Sequence, residues 1–122
     1  APPSITAAAT GCDANVGQIG VFDGYLQRLC GCTEGPSDPI PLQTPLHCTL
    51  ARGSTVVFQY VSTRTRHQIR SLGDPAFASS PMSDPADLST AKAHAIQLET
   101  AGTYRFEDAF TPGMTGSIIV VP

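Results

Sequence analysis

The chain has 122 residues, 41% hydrophobic and 14% charged, with a formal net charge of −3. That is the length of one domain with enough apolar residues for a core, which excludes an intrinsically disordered chain. No apolar run approaches the roughly 20 residues of a membrane-spanning helix, and the mild acidity argues against a nucleic-acid binder, which would normally need a basic stripe.

The chain opens Ala1-Pro2-Pro3-Ser4 without an initiator Met, which reads as the mature end of an exported protein after loss of a signal peptide. Ile19, Phe22, Leu26, Leu29 and Cys30 then recur at offsets of three and four, and this predicts a helix over Ile19 to Leu29. Gly17, Gly20 and Gly24 weaken it by roughly 1 kcal/mol each relative to Ala, Gly31 stops it, and a crosslink at Cys30 would hold it down. Pro36, Pro39, Pro41 and Pro45 exclude a helix or a central strand and predict an extended surface run.

From Leu46 the pattern becomes β. Leu46, Cys48 and Leu50 alternate with His47 and Thr49, and Arg52-Gly53 marks a turn. Ser54 to Val61 is rich in β-branched and aromatic residues, a polar bend follows to Arg66, and His67-Gln68-Ile69 comes next. Gly73 to Ser89 reads as loop, whereas Ala93 to Leu98, Thr103 to Phe106 and Gly116 to Val121 read as strands. Short strands at this spacing predict an all-β, antiparallel Greek-key sandwich. The expected organisation is a single domain, 1–122, with residues 1–45 a helical, Pro-rich, disulfide-linked extension and residues 46–122 the sandwich core.

Cys12, Cys30, Cys32 and Cys48 are the only cysteines. An even number in a short acidic chain points to two disulfides and an oxidising location. Zinc is the alternative, but its sites usually show two Cys-x(2–4)-Cys knuckles and only Cys30-Gly31-Cys32 lie close together. Cys48 alternates inward and Cys30 lies on the apolar helical face, which favours Cys30–Cys48 with Cys12–Cys32; the rival pairing is Cys12–Cys30 with Cys32–Cys48.

Four segments in order carry a resemblance. They are Arg52-Gly53-Ser54-Thr55-Val56-Val57-Phe58, Arg66-His67-Gln68-Ile69, Ala101-Gly102-Thr103-Tyr104-Arg105-Phe106, and Pro112-Gly113-Met114-Thr115-Gly116-Ser117-Ile118-Ile119-Val120. Over roughly residues 46–122 the chain resembles the cupredoxins, the plastocyanin-like small copper proteins. The resemblance implies a copper-bearing β-sandwich in which His67 is the first ligand and Met114 the axial one. The family's last loop reads Cys-x-x-His-Pro-Gly-Met, but here the Cys position is Asp108 and the second His position is Thr111. A blue copper site takes two imidazoles and a thiolate with a long axial Met, and the thiolate stabilises Cu(I). Asp108 is a hard oxygen donor, so the expected cofactor is none, or copper weakly bound at a type-2-like set of His67, Asp108 and Met114.

The bland reading of the same residues is an ionic plug, with Asp108 pairing with His67, Arg64 or Arg66 in place of a metal. Next to a carboxylate the pKa of His67 should rise. His47 alternates outward, and His94 shares parity with Ile96 and Leu98; neither reads as a ligand. His67 and Asp108 with a serine would sketch a hydrolase triad, but no Gly-x-Ser-x-Gly is present and no enzyme is expected. Two functions follow. The first is an exported, non-catalytic binding or structural module whose old copper face meets another protein or assembly. The alternative is a copper-binding or electron-transfer protein with an altered site.

Overall fold

A computed structural model of the chain describes residues 15–32, 39–61, 64–73, 75–80, 82–87, 89–90 and 92–122. Among them run nine strands and no helix: β1 Val16–Phe22, β2 Tyr25–Cys30, β3 Ile40–Pro41, β4 Leu46–Ala51, β5 Thr55–Tyr60, β6 Ile69–Leu72, β7 Ala93–Gln97, β8 Gly102–Asp108 and β9 Thr115–Val121. One sheet has the order β3-β2-β1-β5-β7 and the other β4-β9-β8-β6. Both are mixed rather than purely antiparallel, because β1 pairs parallel with β5 and β4 pairs parallel with β9. Those two pairings join strands distant in sequence, which is where the expectation of an antiparallel sandwich fails.

Period-two alternation sets the core. Val56, Phe58 and Tyr60 of β5 face Tyr104 and Phe106 of β8, Ile118 and Val120 of β9, and Leu46, Cys48 and Leu50 of β4 in one buried cluster. Phe58 and Phe106 meet edge to face with centroids 5.0 Å apart. Asp108 has the parity of Tyr104 and Phe106, so the same alternation carries a carboxylate inward at the end of β8.

The predicted helix is instead the β1–β2 hairpin. Its turn is Asp23-Gly24, with Gly24 at φ 87° and Phe22 opposite Tyr25. Asp-Gly is a strong two-residue hairpin signal, and three glycines left the helix too little propensity to compete. The apparent three-and-four spacing spans both strands: Ile19 and Leu26 are buried, whereas a register shift after Gln18 leaves Leu29 37% exposed. Gly31, at φ 85°, lies against Val16, whose carbonyl any side chain would strike. Ile40–Pro41 adds a short edge strand to β2, a position that tolerates Pro.

Cys32 is bonded to Cys48, with Cα atoms 4.7 Å apart, which overturns the favoured Cys30–Cys48 pairing. That pairing had placed Cys30 on a helical face; instead Cys30 ends β2, and Cys32, two residues beyond the strand, is the one that reaches Cys48 on β4. Cys30 is also disulfide-bonded. The expectations for Cys12, for the N-terminal end and for residues 33–38 lie outside the described residues. No helix among the described residues is long and apolar enough to cross a membrane.

Candidate functional site

Three segments converge at one end of the sandwich: the β1–β2 turn, the stretch entering β6, and the β8–β9 loop. The second is pinned by a backbone exchange, His67 N–H to Ser83 C=O at 3.0 Å and Ser83 N–H to His67 C=O at 2.8 Å. The third is tied on itself. Asp108 N–H donates to Met114 C=O at 2.9 Å, Thr111 N–H to Asp108 C=O at 3.2 Å, and Met114 N–H to Thr111 C=O at 3.2 Å. Ala109 N–H then donates to Gln68 C=O at 2.9 Å and joins the two segments.

His67 lies at the centre, with no solvent exposure. Its Nδ1 donates to Asp108 Oδ2, and its Nε2 donates to Asp23 Oδ1 at 2.8 Å. With both carboxylates ionised each can only accept, so both ring nitrogens then carry hydrogen and the ring is an imidazolium. Burial pushes its pKa down, but the bonds to Asp108 and Asp23 and their negative charges outweigh burial and raise it above the ordinary 6.5. Tyr60 stacks over the ring at 6.4 Å between centroids, and its hydroxyl is bonded to Ser80 at 2.6 Å.

The two carboxylates are each fully engaged. Asp108 Oδ1 accepts Phe110 N–H at 2.9 Å and Gln68 N–H at 3.3 Å. Asp23 accepts Arg64 N–H at 2.7 Å on Oδ2 and the Thr65 hydroxyl at 2.9 Å on Oδ1. Desolvation works to raise the Asp23 pKa, yet the His67, Arg64 and Thr65 hydrogen bonds hold it down at about 2.

Of the sequence-predicted residues, His67 and Asp108 therefore meet directly. Met114 is 1% exposed in the apolar cluster and closes the loop through its backbone. Glu107 faces away and pairs with Arg70. His94 bonds to Ala78 C=O at 2.7 Å and His47 lies on β4; neither is among the partners of His67. Sequence reasoning missed Asp23. Its Asp-Gly turn signal was available, but only the hairpin that follows from it brings the carboxylate to an imidazole 44 residues away.

Thr65, His67 and Asp108 stand in the order of a nucleophile, base and orienting acid, with Thr65 Oγ1 3.2 Å from Nε2. Asp23 disarms that arrangement. It holds the Nε2 proton and accepts the Thr65 hydroxyl as well, so the ring offers no lone pair to take a proton. Nor do the donors match a blue copper centre. Position 108 offers oxygen rather than sulfur, Cys30, Cys32 and Cys48 are spent in disulfides, and both His67 nitrogens are occupied. Among the described residues, no group of three or more His, Cys, Asp or Glu is arranged to hold a metal ion.

No protein-family model matches the sequence, and no curated protein is significantly similar to it. Solved structures do match. A purple cupredoxin from Nitrosopumilus maritimus is similar at TM-score 0.59 and 20% identity, covering 89% of this chain and all of that one. Auracyanin from Roseiflexus castenholzii is similar at TM-score 0.54 and 18% identity, covering 91% of this chain and 100% of the other. A Cu(I) amicyanin variant gives TM-score 0.53 and 16% identity over 94% of this chain and 90% of its own. The chain has the cupredoxin fold.

Proposed function

We propose that the chain is an exported cupredoxin-like domain whose copper position is closed by an Asp23–His67–Asp108 plug, and that it serves as a non-catalytic binding or structural module in a larger protein assembly. The observation that supports this reading is the imidazole with both nitrogens bonded to carboxylates. Two negative charges around one buried imidazolium leave the position electrostatically served without a metal ion. Taking His67 as a ligand would require displacing at least one of those carboxylates and the proton beneath it. The paired disulfides support an exported location, because such bonds persist in oxidising compartments.

The meeting of His67 with Asp108 also favours a second reading, a type-2-like copper site of His67, Asp108 and Met114 in a copper-binding or electron-transfer protein. Metal analysis of protein purified from its native source separates the two. The module reading expects substoichiometric copper; stoichiometric copper overturns it. In the second case the Cu(II) spectrum shows large hyperfine splitting and no intense blue band, since the loop carries no thiolate.

A further inference from the structure

We infer that the rim above His67 is a docking surface for an acidic segment of a partner protein. The inference rests on the module reading and names the partner's chemistry. Arg64 and Arg66, two residues apart, are both exposed. Arg64 N–H and the hydroxyl of Thr65, the residue between them, both donate to Asp23. The Arg66 guanidinium lies 5.9 Å above the ring of Phe110, which is 46% exposed. Between residues 64–66 and the turn of Asp84, Pro85 and Ala86 runs an open groove of about 600 Å³.

Charge separates these two arginines from their neighbours. Arg70 is neutralised by Glu107, whereas among the described residues no carboxylate forms an ion pair with Arg64 or Arg66. The nearby acids already have donors. Asp23 serves His67, Thr65 and Arg64 N–H; Asp108 is buried; Asp84 Oδ1 accepts Ala86 N–H at 2.9 Å. Two planar guanidinium forks suit bidentate carboxylates. An exposed aromatic ring under one of them adds the apolar contact typical of an interface centre.

The occupant is a protein carboxylate pair rather than a polyphosphate chain. Asp84 lines the groove, Asp23 borders the rim, and the chain carries net charge −3. A nucleic acid would bring further negative charges against those groups. A short acidic segment places its charges on the two arginines and its apolar side chain on Phe110.

The test uses the full ¹⁵N-labelled chain and a short synthetic peptide alternating Glu and Leu, followed by NMR. The expected result is amide shifts confined to residues 64–66, 84–86 and 109–110. The double variant Arg64→Gln/Arg66→Gln should bind at least about tenfold more weakly, with the His67 resonances unmoved as the control for folding. Phe110→Ala should weaken binding by a smaller factor. Shifts elsewhere, no shifts at all, or unchanged binding by the double variant overturn the inference. So does an oligonucleotide of equal charge that produces the same shifts at lower concentration. Copper content measured on the same samples is a separate readout: stoichiometric metal overturns the module reading while leaving peptide shifts at the rim intact.

Discussion

The β1–β2 turn and the end of β8 present a carboxylate to the same imidazole, one from an exposed tip and the other from the core. The Asp23 side chain is 34% exposed and that of Asp108 is 0%. Asp108 also accepts two backbone N–H groups from the segments it joins, so its loss would orphan donors as well as His67. Asp23 keeps water within reach, and solvent can replace what it gives. Burial, rather than the number of hydrogen bonds, therefore ranks the two: Asp108 holds the fold at this end, and Asp23 completes the charge around His67.

The largest test of that ranking is Asp108→Ala. Removing one partner of a buried, hydrogen-bonded charged pair typically costs about 3–5 kcal/mol, and urea denaturation should show a loss of that size. A loss below about 1 kcal/mol, the usual range of an exposed pair, would erase the distinction between the two carboxylates. Next comes the means by which each turn is anchored. The β8–β9 loop is tied by hydrogen bonds, whereas the chain leaving β2 is tied to β4 by Cys32–Cys48 across 16 residues of sequence. Closing a loop of that length is worth about 3 kcal/mol in the chain-entropy account. Cys32→Ala with Cys48→Ala should lower stability by roughly that amount while leaving the His67 and Asp108 resonances in place. Their collapse would show that the two ends are not independent.

A smaller effect belongs to Asp23. Asp23→Asn keeps the shape of the side chain and removes its charge, and because the site is partly solvated the loss should be about 1 kcal/mol. The accompanying change is spectroscopic: the pKa of His67 should fall, since one of its two charged partners is gone. A His67 titration identical to the parent's would mean that Asp108 alone sets the imidazolium.

What was legible in the sequence divides along similar lines. β4, β5, β7, β8 and β9 show themselves through alternation, because a half-buried strand imprints period two on Leu46, Cys48 and Leu50 or on Ile118 and Val120. β1 and β2 did not, because Ile19, Phe22, Leu26 and Leu29 mimic a helical stripe when two short strands are read as one segment. The contact of His67 with Asp108 followed from the resemblance to the cupredoxins: counting back from Met114 puts Asp108 at the position of the thiolate ligand, which in that family shares the copper with the first His. Asp23 left no such trace. Its approach depends on a hairpin packing over a segment more than 40 residues away, and on Thr65 and Arg64 N–H arriving with it. The disulfide error descends from the same misreading, since an assumed helix turned Cys30 toward the place that Cys32 occupies.

The finest test compares the two limbs of stability against pH. The His67 pKa is raised on folding, so its contribution is complete below the unfolded value of 6.5 and is lost as pH climbs through the higher folded value. The Asp23 pKa is lowered from 3.8 to about 2, so its contribution is present above 3.8 and lost as pH falls toward 2. The parent should therefore lose melting temperature above pH 6.5 through His67 and below pH 3.8 in part through Asp23. In Asp23→Asn the Asp23 share of the acid limb disappears outright, and the alkaline limb begins at lower pH because the His67 pKa has dropped. Other carboxylates titrate in the acid range too, so the informative quantity is the difference between the two curves. A difference confined to the alkaline limb would leave Asp23 acting on His67 with no stabilising ionisation of its own. A curve parallel to the parent's across the whole range would place its carboxylate out of reach of the imidazole, and the plug would reduce to His67 and Asp108.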